Sequence, residues 1–338
     1  MQRLSLILMA GVISCSSAMV LATKNDKVAK NDKAVILVHA GYGTPRGFVL
    51  RGRVIEDEGV RGPHAERGRW GNLVDSVKTF ETDEVVGVRV EVEVGGAKYV
   101  VRTDADGVWR VEAKGLRRAL PSGEIPLTVS VIDETDYEIP PARGVIYVVD
   151  DGPGVAVISD FDDTIVDSRV TSKGRLVVRT LTRNAAQLEP IAGVSAAYRT
   201  ARAAGACCFF YVSGSPQNLH ERIAAFLEIG ELPVGPILLK NFGEDSLREQ
   251  ETYKVGRISA VMTMFPNLRF VLVGDSGEKD PEIYRIVDEK FPGRILGIVI
   301  RRVPGADNNE ERLAGMNVVD DYAASPGVLE SIVLAGQR

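Results

Sequence analysis

The sequence predicts a two-domain chain, a small antiparallel β domain followed by an α/β domain built on a parallel sheet. Three observations carry that prediction. At 338 residues the chain suits about two domains at ~150 residues each. From residue 34 to about 149 it reads as short strands separated by turn residues. After Asp150-Asp151-Gly152-Pro153-Gly154 strand-like apolar runs alternate with helical patterns, the mark of a βαβ array. Hydrophobic content of 45% and charged content of 26% are ordinary for a globular protein. The net charge of −5 lacks the basic character of nucleic-acid binders, so no nucleic-acid partner is expected.

Residues 1–22 resemble an export signal. Arg3 precedes the apolar stretch LSLILMAGVISCSSAMVLA, Val20-Leu21-Ala22 fits a cleavage site, and a polar linker over 23–33 follows. The same stretch contains VISCSS, similar to a bacterial lipobox with Cys15 as the acylated residue. Cleavage after Ala22, a lipid tether at Cys15 and an uncleaved anchor all remain open. The expected location is exported, periplasmic or extracellular.

In the β domain (34–150), strands are expected over 34–40, 48–55, 86–94, 97–103, 108–113, 126–132 and 144–149, with a helix near 66–80. Val86–Val94 alternates apolar and charged residues, which marks a half-buried strand, and Gly95-Gly96 is a hairpin signal. The pattern suggests a small sandwich. His39 and His64 are isolated and read as structural. Asp104–Gly107 lacks the later bidentate Glu of a calcium loop and reads as a turn. The adjacent Cys207 and Cys208 are expected on opposite faces of a strand, as small buried hydrophobes and not as a disulfide or metal site.

In the α/β domain (151–305), strands are expected over 155–160, 206–212, 236–239, 269–274 and 295–300. Helices are expected over 194–204, 216–228, 252–264 and 280–290, and 306–338 is set apart as a C-terminal extension. Chemistry is expected beyond the carboxyl ends of the strands, where open α/β sheets hold their ligands. Val155–Ile158 runs into Asp160, Asp162, Asp163 and Asp167. Ser213 ends the second strand, and Asp275, Glu278 and Asp280 follow the fourth. With Lys254 near a helix start, one sheet edge collects Asp160, Asp162, Ser213, Lys254, Asp275 and Asp280. Singly each has a plain structural explanation; their convergence favours a site.

D-x-D-x-T at Asp160, Asp162 and Thr164, then Ser213, Lys254 and Gly274–Asp280, resemble the four motifs of haloacid-dehalogenase-like phosphatases. More narrowly, SDFDDTI, YVSGSP, the stretch Phe265–Tyr284 and the IVIR ending resemble the catalytic domain of actin-patch-type phosphatidate phosphatases, related to the lipin phosphatase domain. The resemblance covers roughly 150–305. It implies Asp160 as nucleophile and Asp162 as general acid and base. It implies Mg²⁺ held by Asp160, the Asp162 carbonyl and Asp275, with Asp280 in support. Ser213, Gly214 and Lys254 are implied to hold the substrate phosphoryl group, making Ser213 and Lys254 part of the catalytic set. Gln217 stands where the family suggests an aromatic residue. Arg169, Lys173, Arg175, Arg179 and Arg183 form a basic stretch that either is merely solvated or approaches an anionic membrane. A phospholipid or membrane surface is thus the expected partner. The alternatives are a phosphatase of soluble or protein phosphomonoesters and an inactive surface-binding protein.

Overall fold

The computed structural model describes residues 32–57, 83–167, 188–240 and 250–338. Residues 1–22 with Cys15, where an export signal is expected, the expected helix near 66–80 with His64, and the basic stretch from Arg169 to Arg183 lie outside the described residues.

The first domain comprises β1 (Asp32–Thr44), β2 (Gly47–Glu56), β3 (Arg89–Val94), β4 (Ala97–Arg102), β5 (Val108–Lys114), β6 (Gly123–Val131), the short β7 (Tyr137–Glu138) and β8 (Ala142–Val148). The β3–β4 hairpin turns on Gly95 and Gly96, whose φ angles of 57° and 80° are open to glycine at little cost. The strands form one sheet in the order β4-β3-β6-β8-β1-β2-β5, with β7 beside β1. The expectation of an antiparallel domain needs correction, because β1 runs parallel to both β7 and β8. The sheet also curls over a single core. Phe48 and Trp109 share that core with Val92 and Val129, and the Phe48 ring meets the edge of Tyr99 at 5.4 Å. This replaces two separate sheets.

The second domain follows the expected alternation closely. Its strands are β9 (Gly154–Ser159), β10 (Ala206–Pro216), β11 (Ile237–Lys240), β12 (Leu268–Asp275), β13 (Ile295–Arg301) and β14 (Asn317–Val319). Its helices are α1 (Val194–Ala203), α2 (His220–Ile229), α3 (Gln250–Met264), α4 (Asp280–Lys290), the short α5 (Glu310–Leu313) and α6 (Val328–Gly336). Pro216 does not sit inside a helix; it closes β10, and a 3₁₀ turn over Gln217–Leu219 leads into α2.

All neighbouring strands pair in parallel, in the order β11-β10-β9-β12-β13-β14. Both faces are covered, which explains the unbroken apolar runs. Val155, Val157, Phe209 and Val271 pack with residues of α1, α2 and α6. Their strand neighbours Ala156, Ile158, Phe210 and Leu272 pack with α3 and α4. Residues 306–338 belong to this domain and are not an appendage, since β14 pairs with β13 and Leu329 and Val333 of α6 are fully buried in its core. The chain leaves β9 for β10 on one side and returns through β12 on the other. That reversal of winding opens a crevice at the carboxyl edge.

Candidate active site

Four chain segments converge on the crevice. Asp160 directly follows β9, and its backbone N–H still donates to the Val273 carbonyl of β12 at 2.8 Å. Its own carbonyl accepts from the Ser159 hydroxyl at 2.5 Å, and that hydroxyl lies 2.7 Å from the Tyr198 phenol. Asp160 is therefore held by backbone at a strand end. The chain then turns sharply, with Asp163 at φ 53°, an uncommon left-handed conformation for a non-glycine residue. Arg301 Nη1 donates to the Asp163 carbonyl at 2.7 Å, which clamps that turn.

Lys254 on α3 is the electrostatic centre. Its Nζ lies 3.0 Å from Asp160 Oδ1, 2.7 Å from Asp280 Oδ1 and 3.3 Å from Glu278 Oε2. Burial alone lowers a lysine pKa, but the carboxylates of Asp160, Asp280 and Glu278 drive it well above 10.5, so the ammonium stays charged. Asp280 opens α4 and uses its second oxygen to accept from the Asp275 backbone N–H at 3.2 Å. Asp275 Oδ1 accepts from the backbone N–H groups of Gly277 and Glu278 at 2.6 and 3.1 Å. This leaves its other oxygen facing Thr164 and Asp160, with the Thr164 hydroxyl 3.5 Å from both Asp275 Oδ2 and Asp160 Oδ2.

Asp162 is engaged elsewhere. One oxygen accepts from the Ser215 hydroxyl at 2.7 Å and the Ser213 hydroxyl at 3.2 Å. Burial, partly opposed by the Ser215 hydrogen bond, pushes its carboxyl up to about 6. Asp160 and Asp275 are both shifted upward, chiefly by burial. The two acids of the first motif thus have different surroundings. Asp160 faces a fixed cation that favours its carboxylate form against burial, whereas Asp162 is raised to about 6 by burial while the two serine hydroxyls favour its carboxylate.

Oxygens of Asp160, Asp275 and Asp280 lie within 4.8 Å of one another, and all three residues are buried. Two features of the structure fit a hard cation here. The donors are all oxygen, and buried Asp160 Oδ1 receives no well-formed hydrogen bond despite its proximity to Lys254. Asp160, Asp275, Asp280 and Glu278 against Lys254 alone give a formal charge of −3 (four negative, one positive), which a dication would offset. The Asp162 carboxylate, turned to the serines, is outside this cluster.

The crevice therefore brings Asp160, Asp162, Ser213, Lys254, Asp275 and Asp280 to one edge, with Gly214 half-buried beside Ser213. Sequence reasoning passed over Ser215, although its i+2 spacing from Ser213 on an extended strand was a usable signal. It also missed Arg301, Ser159 and Tyr198, whose contacts depend on tertiary packing. His39, read as isolated, is buried against this region. Its ring stacks on His220 at 4.3 Å, and its Nδ1 lies 2.8 Å from Gln217 Nε2, just past the serine loop.

A parallel sheet with acids at its switch-point edge, a buried lysine and a serine loop defines a class suited to group transfer from phosphate esters. Residues 155–302 match the family described as phosphatidate phosphatase APP1, catalytic domain. Phosphatidate phosphatase APP1 of Saccharomyces cerevisiae is 36% identical over 152 residues, covering 44% of this chain and 26% of that protein. An uncharacterized protein of Schizosaccharomyces pombe is 34% identical over 157 residues, covering 45% of this chain and 26% of that protein. Residues 155–302 of the α/β domain are thus similar to the catalytic domain of APP1-type phosphatidate phosphatases, and the chain spans about a quarter of the length of these relatives. Among solved structures, a carbohydrate acetylesterase from Xanthomonas citri is 11% identical with a TM-score of 0.26, covering 82% of this chain and 67% of its own. A family two carbohydrate esterase from Cellvibrio japonicus is 11% identical with a TM-score of 0.25, covering 90% and 94%. Neither score reaches the level of a shared fold.

Proposed function

We propose that the protein is an exported Mg²⁺-dependent phosphatase of the haloacid-dehalogenase-like type that hydrolyses a phosphomonoester, with phosphatidate as the substrate and diacylglycerol as the product. The observation that carries this reading is the division of labour between Asp160 and Asp162. A hydrolase working through a covalent intermediate needs one ionised carboxylate and one acid that can exchange a proton. Lys254 at 3.0 Å favours the carboxylate of Asp160 against its burial, and Asp162, raised to about 6, can take up and release a proton near neutral pH. The signal-like sequence over 1–22 and the lipobox-like VISCSS around Cys15 support a site of action at a membrane outside the cytoplasm.

In this reading the substrate phosphoryl group enters beside Lys254, Ser213 and Gly214, which balance its charge in a largely buried setting. Asp160 attacks phosphorus in line and forms an aspartyl phosphate, while Asp162 gives its proton to the departing alkoxide. Asp162 then takes a proton from the attacking water, and the acyl phosphate is hydrolysed. Asp280 and Glu278 hold the Lys254 ammonium in place throughout. Asp160, Asp275 and Asp280 would hold Mg²⁺, with the carbonyl of Asp162 as a further oxygen donor; the ion supplies charge neutralisation of the phosphoryl oxygens.

Phosphate release from phosphatidate in mixed micelles, with Mg²⁺ or with chelator, tests both substrate and metal. Mg²⁺-dependent release is expected. Turnover of an aryl phosphate without release from phosphatidate would replace the lipid by a soluble or protein phosphomonoester. Full activity in chelator would contradict the metal, and silence on both substrates would leave a surface-binding protein.

A further inference from the structure

Cys207 and Cys208 do not lie on opposite faces of β10. Ala206 pairs with Val155 and Cys208 with Ala156, so two steps along β10 match one step along β9. This is a β-bulge, and it breaks the alternation that an unbroken strand imposes. The two Sγ atoms consequently lie 3.6 Å apart. Both side chains line a cleft of about 500 Å³, whose wall is completed by Tyr147 and Val149 of the first domain. Cys207 is exposed and both thiols are free.

Geometry distinguishes what such a pair can do. A disulfide needs sulfurs about 2.05 Å apart and Cα atoms usually 4.4–6.8 Å apart, whereas adjacent residues are held at about 3.8 Å by the trans peptide. A tetrahedral dithiolate with metal–sulfur bonds of about 2.3 Å places its sulfurs about 3.8 Å apart. The observed separation is close to the second arrangement and far from the first. Arg202 Nη1 donates to the carbonyl of Cys207 at 2.7 Å. The neighbouring Cys208 thiol first, and the Arg202 charge to a lesser extent, lower the Cys207 pKa, while the same contact and burial hold Cys208 well above 9.0. The pair lies at the amino end of β10. Ser213 is six residues further on, about 20 Å at ~3.3 Å per residue.

We infer that Cys207 and Cys208 form a bidentate site for a divalent thiophilic cation, separate from the carboxylate crevice and with its remaining coordination positions open to the cleft. Each thiol releases its proton to solvent as a sulfur–metal bond forms, so two protons leave per ion and nothing is oxidised or reduced. Soft thiolates select such ions over Mg²⁺.

Cd²⁺ alone is the probe, added to the full chain carrying Cys15→Ser so that the pair holds the only thiols. The readouts are the thiolate-to-cadmium charge-transfer absorbance and protection of thiols from alkylation. The expected result is saturation at one ion per chain, with both thiols protected. Cys207→Ser and Cys208→Ala should each weaken binding at least tenfold. Cys207 is exposed, so its variant keeps the test valid even where loss of buried Cys208 disturbs the fold. Absence of the charge-transfer band, or both thiols still alkylated at saturation, would overturn the site, as would unchanged affinity in Cys207→Ser.

Discussion

Gly274 has no side chain because Asp280 occupies the space one would need. A Cβ there would stand 2.5 Å from Asp280 Oδ2 and 2.7 Å from its Cβ. Neither atom belongs to a flexible side-chain end that can swing away, since Asp280 is pinned by Lys254 and by the Asp275 N–H. Gly274→Ala should therefore shift Asp280 and loosen the lysine, lowering kcat by up to about 100-fold, the cost of a misplacement near 1 Å. Steady-state kinetics alongside thermal unfolding check this; unchanged kcat in a folded variant would contradict it. The acids, Ser213 and Lys254 were legible because each follows a strand end or opens a helix at recognisable spacing. Ser215, Ser159 and Arg301 were not singled out, since serine and arginine at such positions usually cap or solvate. Only packing shows that Ser215 and Ser213 share one oxygen of Asp162.

The strands and helices of the α/β domain were readable because period-2 and period-3.6 patterns are local. The bulges were not, because a bulge exists only in the register between two strands. In β1, His39 pairs with Arg51 and Tyr42 with Val49, three steps against two. The extra residue turns both His39 and Tyr42 toward the α/β domain, where Tyr42 meets Phe210 edge-on at 5.6 Å. An apparently isolated histidine thus becomes a contact of the loop that follows Ser213. His39 is held well below its usual pKa of 6.5, first by burial and then by His220, Arg51 and Arg53. In the window between that lowered pKa and 6.5, the unfolded chain takes up a proton that the native state refuses. The stabilising contribution is complete above about pH 6.5 and falls with decreasing pH, by at most about 1.4 kcal/mol per unit. Denaturant unfolding of wild type and His39→Gln should show a stability difference that shifts against the wild type from pH 7 to pH 5. A difference independent of pH would contradict the buried neutral ring.

At the scale of the whole molecule, the change of pattern near Asp150–Gly154 falls between β8, the last strand of the first sheet, and β9, the first strand of the second, but how the two sheets relate was not legible in the sequence. Tyr42 belongs to the second domain's core, and His39 reaches the segment that carries Ser213 and Ser215. The first domain thus braces one wall of the crevice. The parallel β1–β8 pairing escaped the sequence because strand direction is set by topology, not by residue pattern. The same holds for residues 306–338, whose short strand and two helices look like a tail until β13 supplies a partner. What the assembled molecule presents is one carboxylate, Asp160, held at the sheet edge by backbone and a buried ammonium. Its role as nucleophile is the claim on which the proposed chemistry depends. The direct measurement is a rapid acid quench of the protein during turnover of phosphatidate labelled in its phosphate, followed by mapping of the labelled peptide. The account predicts label on Asp160 and none in Asp160→Asn, which should fold normally and turn nothing over. Label on another residue, or retained turnover in Asp160→Asn, would contradict it.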